Sequence, residues 1–308
     1  MRISTQMITD TFVANLQDQQ ARLYVLQQQS ATGKRILNPS DDPIGAQQVA
    51  ATLDRLSANH QYQTNVSDAR SFVEQSASVA QSAGSALDSA LVAAQTGAND
   101  TESAADRTAL GSQVNQLLEE ALDTANDRSV GRYTLAGTHT ATAPYVASRD
   151  AQGQITAVAL DPTVTPDAVD RQVDVGNVIK VNLNGPDIFG GGGAPAGSTD
   201  YFATLIQLRD ALNNNDGATV RSLIPQLQAL HDQVQAQVAV AGSMAQRLDS
   251  VQQKLQQEEI DLQSNRSRLE DVDVAQVSVD LQTQENLYQQ ALTVGNRILS
   301  LDLNRLLG

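Results

Sequence analysis

Residues 1–32 contain neither Pro nor Gly, and after Pro225 no Pro occurs, with only Gly242 and Gly295 ahead of the terminal Gly308. Five of the eight Pro, at 144, 162, 166, 186 and 195, fall between His139 and Thr199. Pro removes a backbone donor and Gly releases the backbone, so both end or interrupt helices. A chain that avoids them at both ends and gathers them in the middle is predicted to be helical at its ends, around a non-helical insert.

Hydrophobic periodicity supports the same division. Phe12, Leu16, Gln19, Leu23 and Leu26 recur at alternating steps of four and three. After Pro43, Val49, Leu53 and Leu56 open a second stripe that continues from Val66 to Ala94, and Leu110, Val114, Leu117 and Ala121 form a third. The longest runs from Leu223 through Val234, Met244, Leu255 and Leu262 to Asn265, Leu269 and Val272; the last holds Leu287, Ala291, Val294, Ile298 and Leu301. Each is narrow, two positions in seven, as in a coiled-coil seam. Thr219 to Leu269 would span roughly 75 Å as one helix. The predicted fold is mainly α: an elongated helical rod of long antiparallel coiled-coil-like helices with paired N- and C-terminal helices, plus a small β-rich inserted domain.

The insert is expected at 141–198. Apolar side chains alternate in ITAVALD (Ile155–Asp161) and in RQVDVGNVIKVNLNG (Arg171–Gly185), with turn signals at AQGQ and Gly176–Asn177. Thr199 or Asp200 caps a short helix through Leu205, Leu208 and Leu212. Three domains follow: a terminal helical assembly domain (1–40 with 274–308), a helical rod domain (41–140 with 199–273) and the insert.

Composition excludes several functions. The net charge of −15, with only Lys34, Lys180 and Lys254 as lysines, offers no basic surface for nucleic acid. No apolar run is long enough to cross a membrane, and MRISTQMITDTFVANL lacks the pattern of a cleaved secretory signal. With no Cys, disulfides and thiolate chemistry are excluded. Aromatic residues are 3%, so the core is expected to come from Leu, Val, Ile and Ala. Charge is zoned: residues 1–40 carry +2 and residues 274–308 carry −1, leaving the acidity to the middle.

Catalytic or metal chemistry finds no support. His60, His139 and His231 sit in different predicted elements and form no HxxxH pattern; His60 continues a seam and is expected partly buried. The glycines at 190–193 precede AlaProAlaGly rather than GlyLysSer, and are expected to be a linker. Asp41–Asp42 and Glu119–Glu120 are adjacent pairs, which diverge on a helix. No enzyme activity, cofactor or metal is expected.

NPSDDP is more informative. Asn38, Pro39, Ser40, Asp41, Asp42 and Pro43 combine a turn with an acidic N-cap and Pro at the first helical position, a stiff interdomain joint.

Four segments carry a family resemblance: MRISTQMI at the start, TGKRILNPSDDPIGA (Thr32–Ala46), GRYTLAGTHT (Gly131–Thr140), and LEDVDVAQVSVDLQTQENLYQQALTVGNRILSLDLNRLL (Leu269–Leu307). Together they resemble the bacterial flagellin superfamily, and within it the subunits that join hook to filament. Leu135 stands where Phe is usual. The resemblance implies a structural subunit of the flagellum, exported through the flagellar type III apparatus, secreted after a transient cytoplasmic stage. Its implied partners are copies of itself in a homo-oligomeric ring, the first hook-associated protein on one side, flagellin on the other, and a cytoplasmic export chaperone. A filament subunit is the alternative, with another helical secretion-system structural protein behind it.

The resemblance and the stripes together point to Phe12, Leu16, Leu23 and Leu26 packing against Leu287, Val294, Ile298 and Leu301 as the assembly residues. Burying each contributes about 1.5–3 kcal/mol, while ordering backbone costs about 1–2 kcal/mol per residue. A lone pair of terminal helices loses that balance, so the ends are expected to fold on assembly.

Overall fold

A computed structural model describes residues 5–306, except 130, 166 and 192–198. Seven helices take up most of these residues: α1 (Thr5–Thr32), α2 (Pro43–Gly97), α3 (Ala104–Ala125), α4 (Gly185–Phe189), α5 (Tyr201–Asn213), α6 (Gly217–Glu270) and α7 (Val274–Leu306). Six short strands lie between α3 and α4: β1 (Arg128–Ser129), β2 (Arg132–Tyr133), β3 (Tyr145–Arg149), β4 (Ile155–Leu160), β5 (Asp170–Asp174) and β6 (Asn177–Lys180).

The helices begin where acidic or hydroxyl side chains satisfy their free N–H groups. Ser103 Oγ accepts from Asp106 N at 3.2 Å, and Asp200 Oδ1 accepts from Ala203 N at 2.8 Å. Asp216 Oδ1 accepts from Thr219 N at 3.0 Å, and Asp273 Oδ1 from Ala275 N at 3.0 Å. Asp200 is thus the cap of α5 expected from the sequence. Helix α6 stops at Glu270, so Val272 lies in the connector and its N–H donates to Gly33 O at 3.0 Å.

Contacts divide the chain into two compact units, residues 1–58 with 257–308 and residues 59–256.

The second unit holds the main core. One side of α2 carries Val66, Ala69, Val73, Ala80, Ala83, Leu87, Ala90 and Ala94, all buried, and α6 answers with Leu223, Leu227, Leu230, Val234, Ala241, Leu248 and Leu255. Their order is antiparallel: Asn59 Nδ2 donates to Leu255 O at 3.1 Å and Arg70 meets Asp249 at 2.7 Å. The seam position expected for His60 is taken by Asn59, which is 2% exposed, while His60 is exposed. The carbonyl of Leu255 lets an amide serve there, so burial shifts by one residue. Leu53, placed on the stripe by spacing, is also exposed.

The strands form three separate antiparallel pairs, β1–β2, β3–β4 and β5–β6. The first precedes residue 141, and α4 adds an unexpected helical turn after β6. Gly190 and Gly191 have positive φ, of 78° and 92°, while Gly192 and Gly193 of the expected linker lie outside the described residues. The pairs are tied to the helices by specific polar contacts. Arg209, 4% exposed, donates to Ile155 O at 2.7 Å and Asn115 Oδ1 at 3.2 Å. Asn126 brackets Tyr145 with two hydrogen bonds of 2.9 and 3.0 Å. Although aromatics are scarce, Tyr145, Phe189, Tyr201 and Phe202 meet in one cluster with ring centroids 5.1–5.7 Å apart. The core is otherwise built from Leu, Val, Ile and Ala, as expected; this cluster is its aromatic part and joins β3, α4 and α5. Tyr201 OH donates to Ala83 O at 2.9 Å, and burial raises the pKa of both tyrosines.

Arg149 on β3 grips Glu119 on α3 with both terminal guanidinium nitrogens, Nη1 and Nη2, and this hydrogen bonding lowers the Glu119 pKa. A lowered folded value stabilises above the ordinary glutamate pKa and is lost as pH falls through the folded value. Amide protection in β3–β4, measured relative to the intrinsic exchange rate at each pH, should therefore fall on acidification before protection in the α2–α6 seam does. A simultaneous fall in both would show that this pair does not hold the hairpin.

Candidate functional site

The first unit differs from the second in how little it buries. Along α1, Thr9, Phe12, Leu16, Gln19, Leu23 and Leu26 are half-buried at steps of three and four. Along α7 the matching stripe is Val277, Leu281, Gln284, Tyr288, Ala291 and Gly295. The two helices pair antiparallel: the ring of Phe12 covers Gly295, Gln284 Nε2 donates to Gln19 O at 3.4 Å, and a bridge joins Lys34 to Asp271. Among the described side chains of α1 and α7, Val277 is the one large apolar residue that is buried, at 4% exposure.

The sequence pairing is corrected at two positions. Leu287 and Val294 are 47% and 52% exposed, on the flank of α7 rather than against α1. Tyr288 and Gly295, one residue further on, take the inward positions. The periodicity was misled because this seam uses Gln, Ala and Gly while Leu and Val sit beside it. Ile298 and Leu301 lie outside the residues whose side chains are described.

The flanks of the pair are unusually apolar. Of the 17 exposed large hydrophobic residues described, nine belong to α1 and α7: Met7, Val13, Tyr24, Val25, Val274, Val279, Leu287, Leu292 and Val294, at 42–63% exposure. Scattered single apolar residues are ordinary, but a concentration on one element marks an interaction surface. Two clefts run beside the pair. One of about 550 Å³ is lined by Ala21, Arg22, Val25, Leu26, Asp280, Thr283 and Gln284; the other, of about 220 Å³, by Thr9, Phe12, Val13, Leu16, Leu292, Gly295 and Asn296.

The joint residues are held in a dense polar network between α1 and α2. Asp41 Oδ2 accepts from Leu37 N at 3.1 Å and Asn38 N at 2.8 Å. Asp42 Oδ1 accepts from Gly45 N at 2.9 Å, with Pro43 opening α2, and Arg35 meets Asp42 Oδ2 at 3.0 Å. The Gly45 bond, then Arg35, hold the Asp42 pKa below the usual carboxylate value. A Cβ on Gly45 would strike the Asp42 carboxylate and Ile36, so a larger residue there would have to displace the capping side chain. Across the joint, Lys34 and Arg266 both meet Glu270, and Arg35 donates to Leu269 O at 2.9 Å. All six joint residues, Asn38 to Pro43, fall within the first unit.

Other candidates have local roles. Asp41 and Asp42 cap backbone, Glu119 binds Arg149 and Glu120 is exposed. No group of three or more acidic or His residues is placed to hold a metal among the described residues, and none of their helices is long and apolar enough to cross a membrane.

The first and last helices thus pair along a thin seam with apolar flanks, the pattern of an interaction surface. The sequence pattern of the bacterial flagellin N-terminal helical region matches residues 3–140, and that of the bacterial flagellin C-terminal helical region matches residues 225–306. The chain belongs to the bacterial flagellin family. Among curated relatives, flagellar hook-associated protein 3 of Escherichia coli (strain K12) is 32% identical over 194 residues, covering 61% of this chain and 57% of that protein. The protein of the same name in Salmonella typhimurium is 35% identical over 150 residues, 47% of this chain and 46% of that one. The chain thus spans about half the length of the curated relatives it matches. In fold it is similar to flagellar hook associated protein-3 from Legionella pneumophila, with a TM-score of 0.62 at 13% identity, covering 72% of this chain and 98% of that one.

Proposed function

We propose that this chain is a structural, non-catalytic subunit of the bacterial flagellum that forms the junction between hook and filament. Two relatives bear the name flagellar hook-associated protein 3, which supports the junction over the filament reading. The observation that carries the mechanism is the concentration of exposed apolar side chains on α1 and α7. In this reading the terminal segments, 1–40 and 274–308, are the assembly domain and order fully when copies supply the missing burial. Residues 41–140 with 199–273 form the supporting helical domain, and 141–198 an outward insert. Phe12, Leu16, Leu23 and Leu26 then hold α1 to its own α7, while Leu287 and Val294 face neighbours, with Ile298 and Leu301 continuing that segment. Asn38 to Pro43 make the stiff joint between α1 and α2.

The partners proposed are further copies in a ring, the first hook-associated protein, flagellin, and an export chaperone in the cytoplasm. The chain is made in the cytoplasm, exported by the flagellar type III apparatus and resident outside the cell. Electron microscopy of a deletion strain tests this. Intact hooks without filaments, with filament subunits shed into the medium, are expected; missing hooks or unchanged filaments refute the junction role.

A further inference from the structure

Stripes that repeat every seven residues can slide. Moving α1 along α7 by one heptad sets apolar positions against apolar positions again, so a uniform seam selects no register. Two places break the uniformity. Gly295 is buried inside a helix, where alanine would be favoured by propensity. A Cβ there would collide with Cζ and Cε1 of Phe12, so the ring fills the volume of the absent side chain. At the second place two glutamines meet: Gln284 Nε2 reaches Gln19 O at 3.4 Å, and Gln19 Oε1 is buried without a partner. An unpaired buried oxygen destabilises, and leucine would fill the position without that cost. Polar residues in apolar seams have one well-attested use, the fixing of register.

We infer that Phe12 on Gly295 and Gln19 beside Gln284 form a two-part register key that admits one alignment of α1 on α7. Slipped by seven residues, Phe12 meets Tyr288 or Asp302 instead of glycine, and Gln19 meets Val277 or Ala291 instead of an amide. The key keeps the chain's own ends matched to each other while the apolar flanks stay free for other copies. It rests on the proposal that α1 and α7 are the assembly elements.

Because the chain has no Cys, an introduced pair reports alone. Leu23→Cys with Leu281→Cys reports the keyed register, and Leu23→Cys with Tyr288→Cys the slipped one. The full chain is oxidised under assembling conditions, and sedimentable assemblies are measured separately. With the key intact, only the first pair should cross-link. Gln19→Leu with Gln284→Leu should raise the slipped cross-link by about tenfold. Gly295→Ala should cut the keyed cross-link by about tenfold, and adding Phe12→Ala should restore it to within about twofold. A single register after the glutamine replacements, or full cross-linking in Gly295→Ala, overturns the key. So does the absence of both cross-links while assemblies form. Keyed cross-links without assemblies refute the assembly reading and leave the key standing.

Discussion

Val294→Asp should leave the chain expressed, folded and exported, and should abolish filament attachment and swimming. Val294 is 52% exposed, so the isolated chain loses little by the change. Surface substitutions away from special features usually alter stability by less than about 0.5 kcal/mol. The effect appears only if a neighbour covers the position. A carboxylate forced into an apolar contact must be desolvated or protonated, which costs several times what the lost valine contributes. Val294→Leu, which keeps the surface apolar, should swim normally. The measurement pairs swarming on soft agar with immunoblotting of the exported fraction. Normal swimming by Val294→Asp would remove this flank from the assembly surface, and failure of export would place its role earlier.

The second large effect is on stability. Arg107 on α3 is 7% exposed, and three hydrogen bonds occupy its guanidinium. Nε donates to Gly97 O at 2.8 Å, Nη2 to Asn99 O at 2.7 Å and Nη1 to Asn215 Oδ1 at 2.5 Å. One side chain thereby closes the α2–α3 turn and ties it to the α5–α6 turn. Its partners are neutral oxygens, two of them carbonyls at and just beyond the C-terminal end of α2. Arg107→Ala leaves all three unpaired, and about 3 kcal/mol should be lost. Arg107→Lys, with a compact ammonium that cannot span three acceptors, should lose an intermediate amount. Urea denaturation of the full chain gives both values. A loss below about 1 kcal/mol for the alanine variant would mean that water replaces the guanidinium freely.

Legibility followed the range of the interaction. The α6 stripe was readable over most of its length because its spacing is regular: Leu223, Leu227, Leu230, Val234, Leu248 and Leu255 are all at or below 2% exposure, whereas Asn265, on the same spacing, is exposed. Strand β4 and the β5–β6 pair were readable because alternation and turn residues are local signals, whereas β3 was not. The α7 seam was not. Hydrophobicity marks any face that will be covered, and α7 has one for α1 and one that stays exposed in the single chain. Leu287 and Val294 spoke for the second and hid Gln284, Tyr288 and Gly295, which make the first. The two-residue strands β1 and β2 carry no periodicity. Arg107, Arg209 and the four-ring cluster depend on residues brought together from distant parts of the chain, and nothing in their immediate sequence sets them apart. The Asp42–Pro43 cap was legible because its chemistry is complete within a few residues.

The antiparallel match of α1 with α7 has a practical result for anyone handling this polypeptide. The beginning of the one and the finish of the other come to the same tip of the hairpin, so an affinity peptide fused at either extremity intrudes at the same place. The turn at Asp150–Gly153, between β3 and β4, belongs to the other compact unit and offers a position for a label outside the paired helices.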